Sequence, residues 1–255
     1  MKIGERDSSE AVFVIAEIGN NHEGNIDLAA ELIGRAAESG ADAVKFQTYN
    51  TETLISPADL DRFNRMKKFE FSKEAFTKLS NQARDLGLAF ISTPFDLPSV
   101  TFLNGIVDAI KIASGDNTFP QLIESGARTG KPLIMSTGLA SIEEVHDAVN
   151  EIKASRLSIG SDLELSLLHC ISSYPTLPED ANLAAIPALR NSFPGCFIGY
   201  SDHTIGIEVA VAAVAAGACL IEKHFTIDNN YSEFRDHQLS ATPDTLRQMI
   251  ERIRD

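Results

Sequence analysis

AVFVIAEIG, residues 11–19, is the stretch on which the fold turns: seven apolar residues, one embedded carboxylate at Glu17, and a glycine stop. A short, nearly continuous apolar run rich in β-branched residues reads as a strand buried on both faces, the condition of a parallel sheet covered by helices. Seven more such runs follow: DAVKFQT (42–48), LAFISTP (88–94), AIKIAS (109–114), PLIMSTG (132–138), LSLLHCI (165–171), FIGYSD (197–202) and CLIEKHF (219–225). Amphipathic segments lie between them, at 27–38, 73–86, 142–153, 207–216 and 243–254, several opened by the capping residues Ser72, Ser141 and Thr242. Eight β-then-α units predict an α/β chain folded as a (β/α)₈ TIM barrel, a single catalytic domain over residues 1–255. An open doubly wound sheet is the competing architecture, but the turn after the first strand, Gly19-Asn20-Asn21-His22-Glu23-Gly24, lacks the nucleotide-binding glycine pattern.

With 255 residues and 44% hydrophobic composition the chain is long enough for one large core. A formal charge of −14 argues against a nucleic-acid partner, which requires clustered Lys and Arg. No apolar run is of membrane-spanning length and the amino terminus is polar, so the expected location is the cytoplasm, away from membranes. Cys170, Cys196 and Cys219 show no paired or metal-type spacing and read as reduced core thiols. The one long connection, residues 49–71, is expected to be a lid or substrate wall, or else a solvated insertion.

In a parallel barrel, catalysis is built at the carboxyl ends of the strands, and nearly every run ends in polar residues. The candidates are Glu17; Lys45 and Gln47; Thr93; Lys111, Ser114 and Asp116; Ser136; Ser172 and Tyr174; Ser201 and His203; and Glu222 and His224. Lys45 and Lys111 interrupt apolar strands, where an unpaired ammonium is costly, and so require an anion. That anion is either a neighbouring carboxylate such as Glu17 or Glu222, or a bound phosphate or carboxylate also held by the hydroxyls of Thr93, Ser114, Ser136 and Ser201. A Schiff-base lysine is the other catalytic use of Lys in a barrel. His203 and His224 end adjacent strands, so their imidazoles can share a metal ion with a carboxylate such as Asp116 or Asp236; otherwise they are hydrogen-bonded core residues.

The ordered strings AEIGNNHEGN, DAVKFQTY, STPFD, KIASGD, STGLAS, HC…YPT, SDHT and EKHFT resemble the barrel domain of N-acetylneuraminate (sialic acid) synthases and related nonulosonate synthases, over residues 14–236. The resemblance implies a metal-dependent condensation of phosphoenolpyruvate with an open-chain N-acylated hexosamine, giving a sialic-acid-like 2-keto-3-deoxy acid and phosphate. It implies Lys45, Thr93, Lys111, Ser114, Ser136 and Ser201 as phosphoenolpyruvate contacts, joined as substrate-binding candidates by Gln47, Ser172 and Arg235. It implies His203 and His224 as ligands of a divalent ion, Mn²⁺ first, with Mg²⁺, Co²⁺ or Zn²⁺ as alternatives. Glu17, Tyr174 and Asp236 match positions facing the sugar; with Asp116 they form the catalytic set, from which the acid or base is not singled out. A homodimer is the implied assembly.

Departures bear on the acceptor. Asp116 stands where the family commonly has Glu, Ser172 where many members have Asn, and Glu233-Phe234-Arg235-Asp236-His237 replaces a Pro-Gly-Pro-Asp-His pattern. The chain is also read as lacking the antifreeze-like carboxyl-terminal domain, which in the family supplies an arginine across the dimer, a role Arg235 is placed to take. Two alternatives follow: condensation with a phosphorylated aldose, for which Arg62, Arg65, Lys67 and Lys68 are the available basic cluster, or a catalytically degenerate barrel that binds sugar or phosphoenolpyruvate.

Overall fold

The computed structural model describes every residue except Ser9 and Leu163. A small antiparallel hairpin lies near the amino terminus, β1 (Lys2–Ile3) and β2 (Arg6–Asp7). Eight parallel strands follow: β3 (Phe13–Gly19), β4 (Ala43–Thr48), β5 (Ala89–Pro94), β6 (Ala109–Ile112), β7 (Leu133–Ser136), β8 (Leu165–Cys170), β9 (Phe197–Asp202) and β10 (Leu220–His224). Sequential neighbours pair, and β10 closes on β3 in the register Leu220↔Phe13 through His224↔Glu17. The closed parallel barrel read from the sequence is therefore the observed architecture.

Strand alternation divides the apolar side chains into two bodies. Val14, Ala16, Ile18, Val44, Phe46, Phe90, Ile110 and Ile112 face outward and pack against the surrounding helices. Phe13, Ile15, Ala43, Ala89, Ile91, Ala109, Ile134, Leu168 and Leu220 fill the barrel interior, and Met1 and Ile3 of the hairpin plug its amino-terminal end. Gly199 belongs to this inner layer for want of room: a Cβ there would lie 2.5 Å from Leu168 Cδ2 and 2.6 Å from the Leu220 carbonyl oxygen.

The helices match the sequence reading with shifted ends. Observed spans are Ile26–Glu38, Lys73–Asp85, Ile142–Ser158, Glu208–Ala215 and Pro243–Arg254. The third runs five residues past its expected end because Ser155 and Arg156 continue its buried face, with the Arg156 guanidinium donating to the Lys131 carbonyl. Its start obeys the sequence closely: Ser141 and Glu144 form a reciprocal capping box. The long connection after β4 is not an open loop. It folds into two helices, Thr51–Leu54 and Leu60–Phe69, the second hereafter the wall helix.

Candidate active site

The same alternation that fills the barrel builds its mouth. In six of the strands an inward polar residue comes two positions beyond the last inward apolar one: Ile15 then Glu17, Ala43 then Lys45, Ile91 then Thr93, Ala109 then Lys111, Ile134 then Ser136, Leu220 then Glu222. These groups line one cavity of about 1420 Å³ above the apolar layer.

At its base lies a four-membered charge cluster. Lys45 Nζ is 2.8 Å from a Glu17 carboxylate oxygen and 3.7 Å from Glu222, and donates to the Thr93 hydroxyl at 3.3 Å. Lys111 Nζ donates to Glu222 at 3.2 Å, and Ser201 donates to the same oxygen at 2.9 Å. All four ionisable side chains are at least nine-tenths buried. The carboxylate partners anticipated for the lysines are thus present. An unpaired buried ion costs several kcal/mol, so two carboxylates balance two ammonium ions. Burial penalises the Lys45 ammonium, but Glu17 and Glu222 outweigh it and its pKa is raised. Burial lowers the pKa of Lys111, whose contact with Glu222 does not offset it. Burial would raise Glu222, yet the two lysines hold it at about 2. Glu17 moves the other way: burial, reinforced by the Glu222 charge, lifts it above the ordinary carboxylate range despite Lys45. Glu17 is therefore the carboxyl of this cluster most able to carry a proton.

Beside the cluster stand His203 and His224, ring centroids 5.4 Å apart. Tyr174 packs against His203 at 4.0 Å, and Arg235 lies over the Tyr174 ring at 5.0 Å while pairing with Asp236 at 3.4 Å. His203 Nδ1 is engaged with the Ile171 carbonyl at 2.8 Å, which fixes that nitrogen as the donor and leaves Nε2 a lone pair. Burial lowers the pKa of both histidines, and for His224 the neighbouring His203 and Lys45 charges add to it. Both are therefore neutral imidazoles, the form that ligates metals. His224 Nδ1 is buried without a hydrogen-bond partner. No group of three or more His, Cys, Asp or Glu gathers at metal-binding distance among the described residues. The two neutral imidazoles are the nitrogen donors that this cavity offers a divalent ion.

The wall helix closes one side. Arg62, Asn64, Arg65, Met66, Lys68 and Phe69 all face the cavity. Tyr49 ties the helix down by donating to the Met66 carbonyl and to Asn20, which itself donates to Gln47 at 2.8 Å. Phe69 packs edge-on against Phe234 at 5.3 Å. At Gly24, φ is +80° and an added Cβ would sit 2.0 Å from the Lys68 carbonyl oxygen, so backbone lies directly on backbone. The wall alternative for this connection is the one observed.

Of the sequence candidates, Glu17, Lys45, Gln47, Thr93, Lys111, Ser114, Ser136, Ser172, Tyr174, Ser201, His203, His224, Arg235 and Asp236 all line this cavity. Asp116 does not. It ends the 3₁₀ turn Ser114–Asp116 after β6, whose Ser114 and Gly115 do line the cavity. Burial raises its carboxyl pKa, and one of its oxygens is buried without a hydrogen-bond partner. Sequence reasoning gave Glu222 as a strand-end polar residue and a counterion for the lysines, and read Cys170 as core. Cys170 lines the mouth with its sulfur 3.9 Å from His203 Nδ1, two residues past the inward Leu168, a parity the sequence already carries.

The chain is similar in sequence and fold to known proteins. The NeuB family profile matches residues 32–255. A protein of Methanocaldococcus jannaschii is 48% identical over 257 residues, covering all of this chain and 74% of the relative. The N,N'-diacetyllegionaminic acid synthase of Legionella pneumophila subsp. pneumophila is 41% identical, covering 98% of this chain and 73% of its own length. The crystal structure of the N-acetylneuraminic acid (sialic acid) synthetase from Leptospira borgpetersenii serovar Hardjo-bovis, in complex with citrate, superposes with a TM-score of 0.90 at 39% identity, covering 99% of this chain and 85% of that one.

Proposed function

The chain belongs to the NeuB family, and from that premise we propose that it condenses phosphoenolpyruvate with the aldehyde of an open-chain N-acylated hexosamine, giving a nonulosonic 2-keto-3-deoxy acid and phosphate. The observation that carries the reading is the meeting, in one cavity, of two buried lysines and a pair of neutral imidazoles.

Lys45 and Lys111, with the Thr93, Ser114, Ser136 and Ser201 hydroxyls, hold the phosphate and carboxylate of phosphoenolpyruvate; the Ser136 hydroxyl, buried without a partner, is free to donate. His203 and His224 hold the divalent ion, for which Mn²⁺, Mg²⁺, Co²⁺ and Zn²⁺ are candidates; when bound it supplies Lewis-acid polarisation of the aldehyde. C3 of phosphoenolpyruvate then attacks the aldehyde carbon, whose oxygen takes up a proton and becomes a hydroxyl. Positive charge develops at C2, water adds there and loses a proton, and the C2–O bond to phosphate breaks as the new hydroxyl gives its proton to the leaving phosphate, leaving the ketone. Glu17 and Asp236, both with pKa raised by burial, are the carboxyls suited to these proton transfers. Tyr174 and Gln47 orient the sugar beside them. The leaving phosphate stays neutralised by the two lysines.

Phosphate release from phosphoenolpyruvate in the presence of a panel of N-acylhexosamines and a divalent metal tests the reading. Turnover with at least one aldose is expected, abolished in His203→Ala and His224→Ala. Lys111→Ala is expected to raise the KM for phosphoenolpyruvate at least tenfold, the loss of one charge-assisted contact, with little change in that for the sugar. Phosphoenolpyruvate binding without turnover on any aldose and metal would favour the degenerate barrel instead.

A further inference from the structure

Strand alternation sends every second residue of β9 and β10 outward, against the helices. Ile198, Tyr200 and Ile221 keep that face apolar. The next outward positions, Asp202 and Lys223, break the rule. They are register partners on the two strands, and Lys223 Nζ lies 2.7 Å from an Asp202 carboxylate oxygen with both side chains fully buried. Neither residue lines the cavity, whereas Lys45, Lys111, Glu17 and Glu222 all do. The outer pair is therefore out of reach of substrate.

A buried ion pair is a poor source of stability, because desolvating two ions offsets most of their attraction and apolar residues of similar volume often serve as well. The placement of this pair supplies another reason for it. Asp202 immediately precedes His203, and Lys223 immediately precedes His224. The other Asp202 carboxylate oxygen accepts from the Thr204 amide at 3.0 Å, and Lys223 Nζ also donates to the Thr204 carbonyl. The two side chains thus hold the backbone on both sides of His203 and join it to the strand end that carries His224. Further backbone bonds pin the same two residues: the His203 carbonyl accepts from the Thr176 amide at 2.9 Å, and the His224 carbonyl from the Ala241 amide at 2.7 Å. A site with two nitrogen donors depends on their spacing, and the two ring centroids are 5.4 Å apart. A shift of either strand end changes that spacing directly.

We propose that Asp202 and Lys223 are positioning residues: their ion pair, on the outer face of the barrel, clamps the ends of β9 and β10 so that His203 and His224 are spaced to share one divalent ion. The proposal rests on the metal assignment above and adds the two residues that set its geometry. An apolar pair would fill the same space without tying the Thr204 backbone to β10. Partners that orient metal ligands from behind change metal affinity by roughly 10–100-fold when they are replaced.

The test is calorimetric titration of the chelator-treated protein with Mn²⁺, alongside titration with phosphoenolpyruvate in the absence of metal. Asp202→Asn/Lys223→Met removes both charges together, so neither is left buried alone. Its Mn²⁺ affinity should fall roughly 10–100-fold, while its phosphoenolpyruvate affinity, set by Lys45 and Lys111 on β4 and β6, stays at the parent's value. Asp202→Asn alone keeps an acceptor for the Thr204 amide and serves as the second variant if the double one does not fold; its Mn²⁺ affinity should fall in the same direction. Ile221→Val, one methylene smaller at the neighbouring outward position, is the control: thermal unfolding should register it and Mn²⁺ affinity should not. Parent-like Mn²⁺ affinity in the charge-free variant overturns the proposal. So does an equal loss of Mn²⁺ and phosphoenolpyruvate affinity, the mark of a general loosening of the barrel. A parent protein that binds no Mn²⁺ sinks the metal assignment and the clamp together, whereas one that binds Mn²⁺ but releases phosphate with no aldose sinks the condensation reading alone.

Discussion

At the scale of single residues, the site is governed by what burial does to charge. His22 gives the cleanest case, because it is buried beside the mouth, stacked on Phe71 at 4.1 Å, with Nδ1 accepting from the Gly24 amide. Burial lowers its pKa from 6.5 to about 3. Above pH 6.5 both folded and unfolded chains carry it neutral, so it contributes no slope. Below that, the unfolded chain takes up a proton that the folded chain refuses, and stability falls with pH until about 3, by up to roughly 1.4 kcal/mol per unit from this residue. His22→Gln retains an acceptor without the titration. Denaturant unfolding of this variant from pH 6.5 to 3.5 should show a shallower loss than the parent, and identical slopes would contradict the assignment. Residues of this kind are poorly legible in sequence: the letter His at position 22 resembles those at 203 and 224, and only the ring stacked above it distinguishes a buried structural imidazole from a ligand.

At the scale of elements, the eight strands were legible because both faces of each are buried and the runs are apolar almost without interruption. The interruptions, Lys45, Lys111 and Glu222, marked the inward face, and alternation from them assigns Cys170 and Ser136 to the mouth as well. Asp116 shows where that logic ends. It lies past the last strand residue, in a 3₁₀ turn whose direction follows from backbone geometry rather than from period two. The wall helix was hidden for a different reason. Its charged sequence satisfies a solvated loop as well as a helix, and the tertiary contacts at Gly24 and Tyr49 decide between them. Gly24→Ala tests that anchor. The forced displacement of the Lys68 carbonyl, added to a left-handed conformation unfavourable to alanine, should cost about 1–3 kcal/mol. Thermal unfolding should register this, and steady-state kinetics should show the acceptor KM rising more than that for phosphoenolpyruvate. An unchanged acceptor KM would remove the wall from the acceptor site.

At the scale of the whole molecule, the barrel separates stability from chemistry along its axis. The hairpin and inner apolar layer seal one end; Asp42 at that end accepts from the Val14 amide and pairs with Arg254 of the last helix, locking the closure of the ring. The other end carries charge that the core would not tolerate unpaired. The four buried charges there balance, Glu17 and Glu222 holding Lys45 and Lys111. No helix among the described residues is long and apolar enough to cross a membrane. The most direct test is a crystal structure of the protein soaked with phosphoenolpyruvate and Mn²⁺. The account predicts the phosphate and carboxylate of the ligand within hydrogen-bonding distance of Lys45 and Lys111, and anomalous density for manganese between His203 and His224. Phosphoenolpyruvate bound only at the wall, with both lysines still paired solely to Glu17 and Glu222 and no metal at the imidazoles, would contradict it.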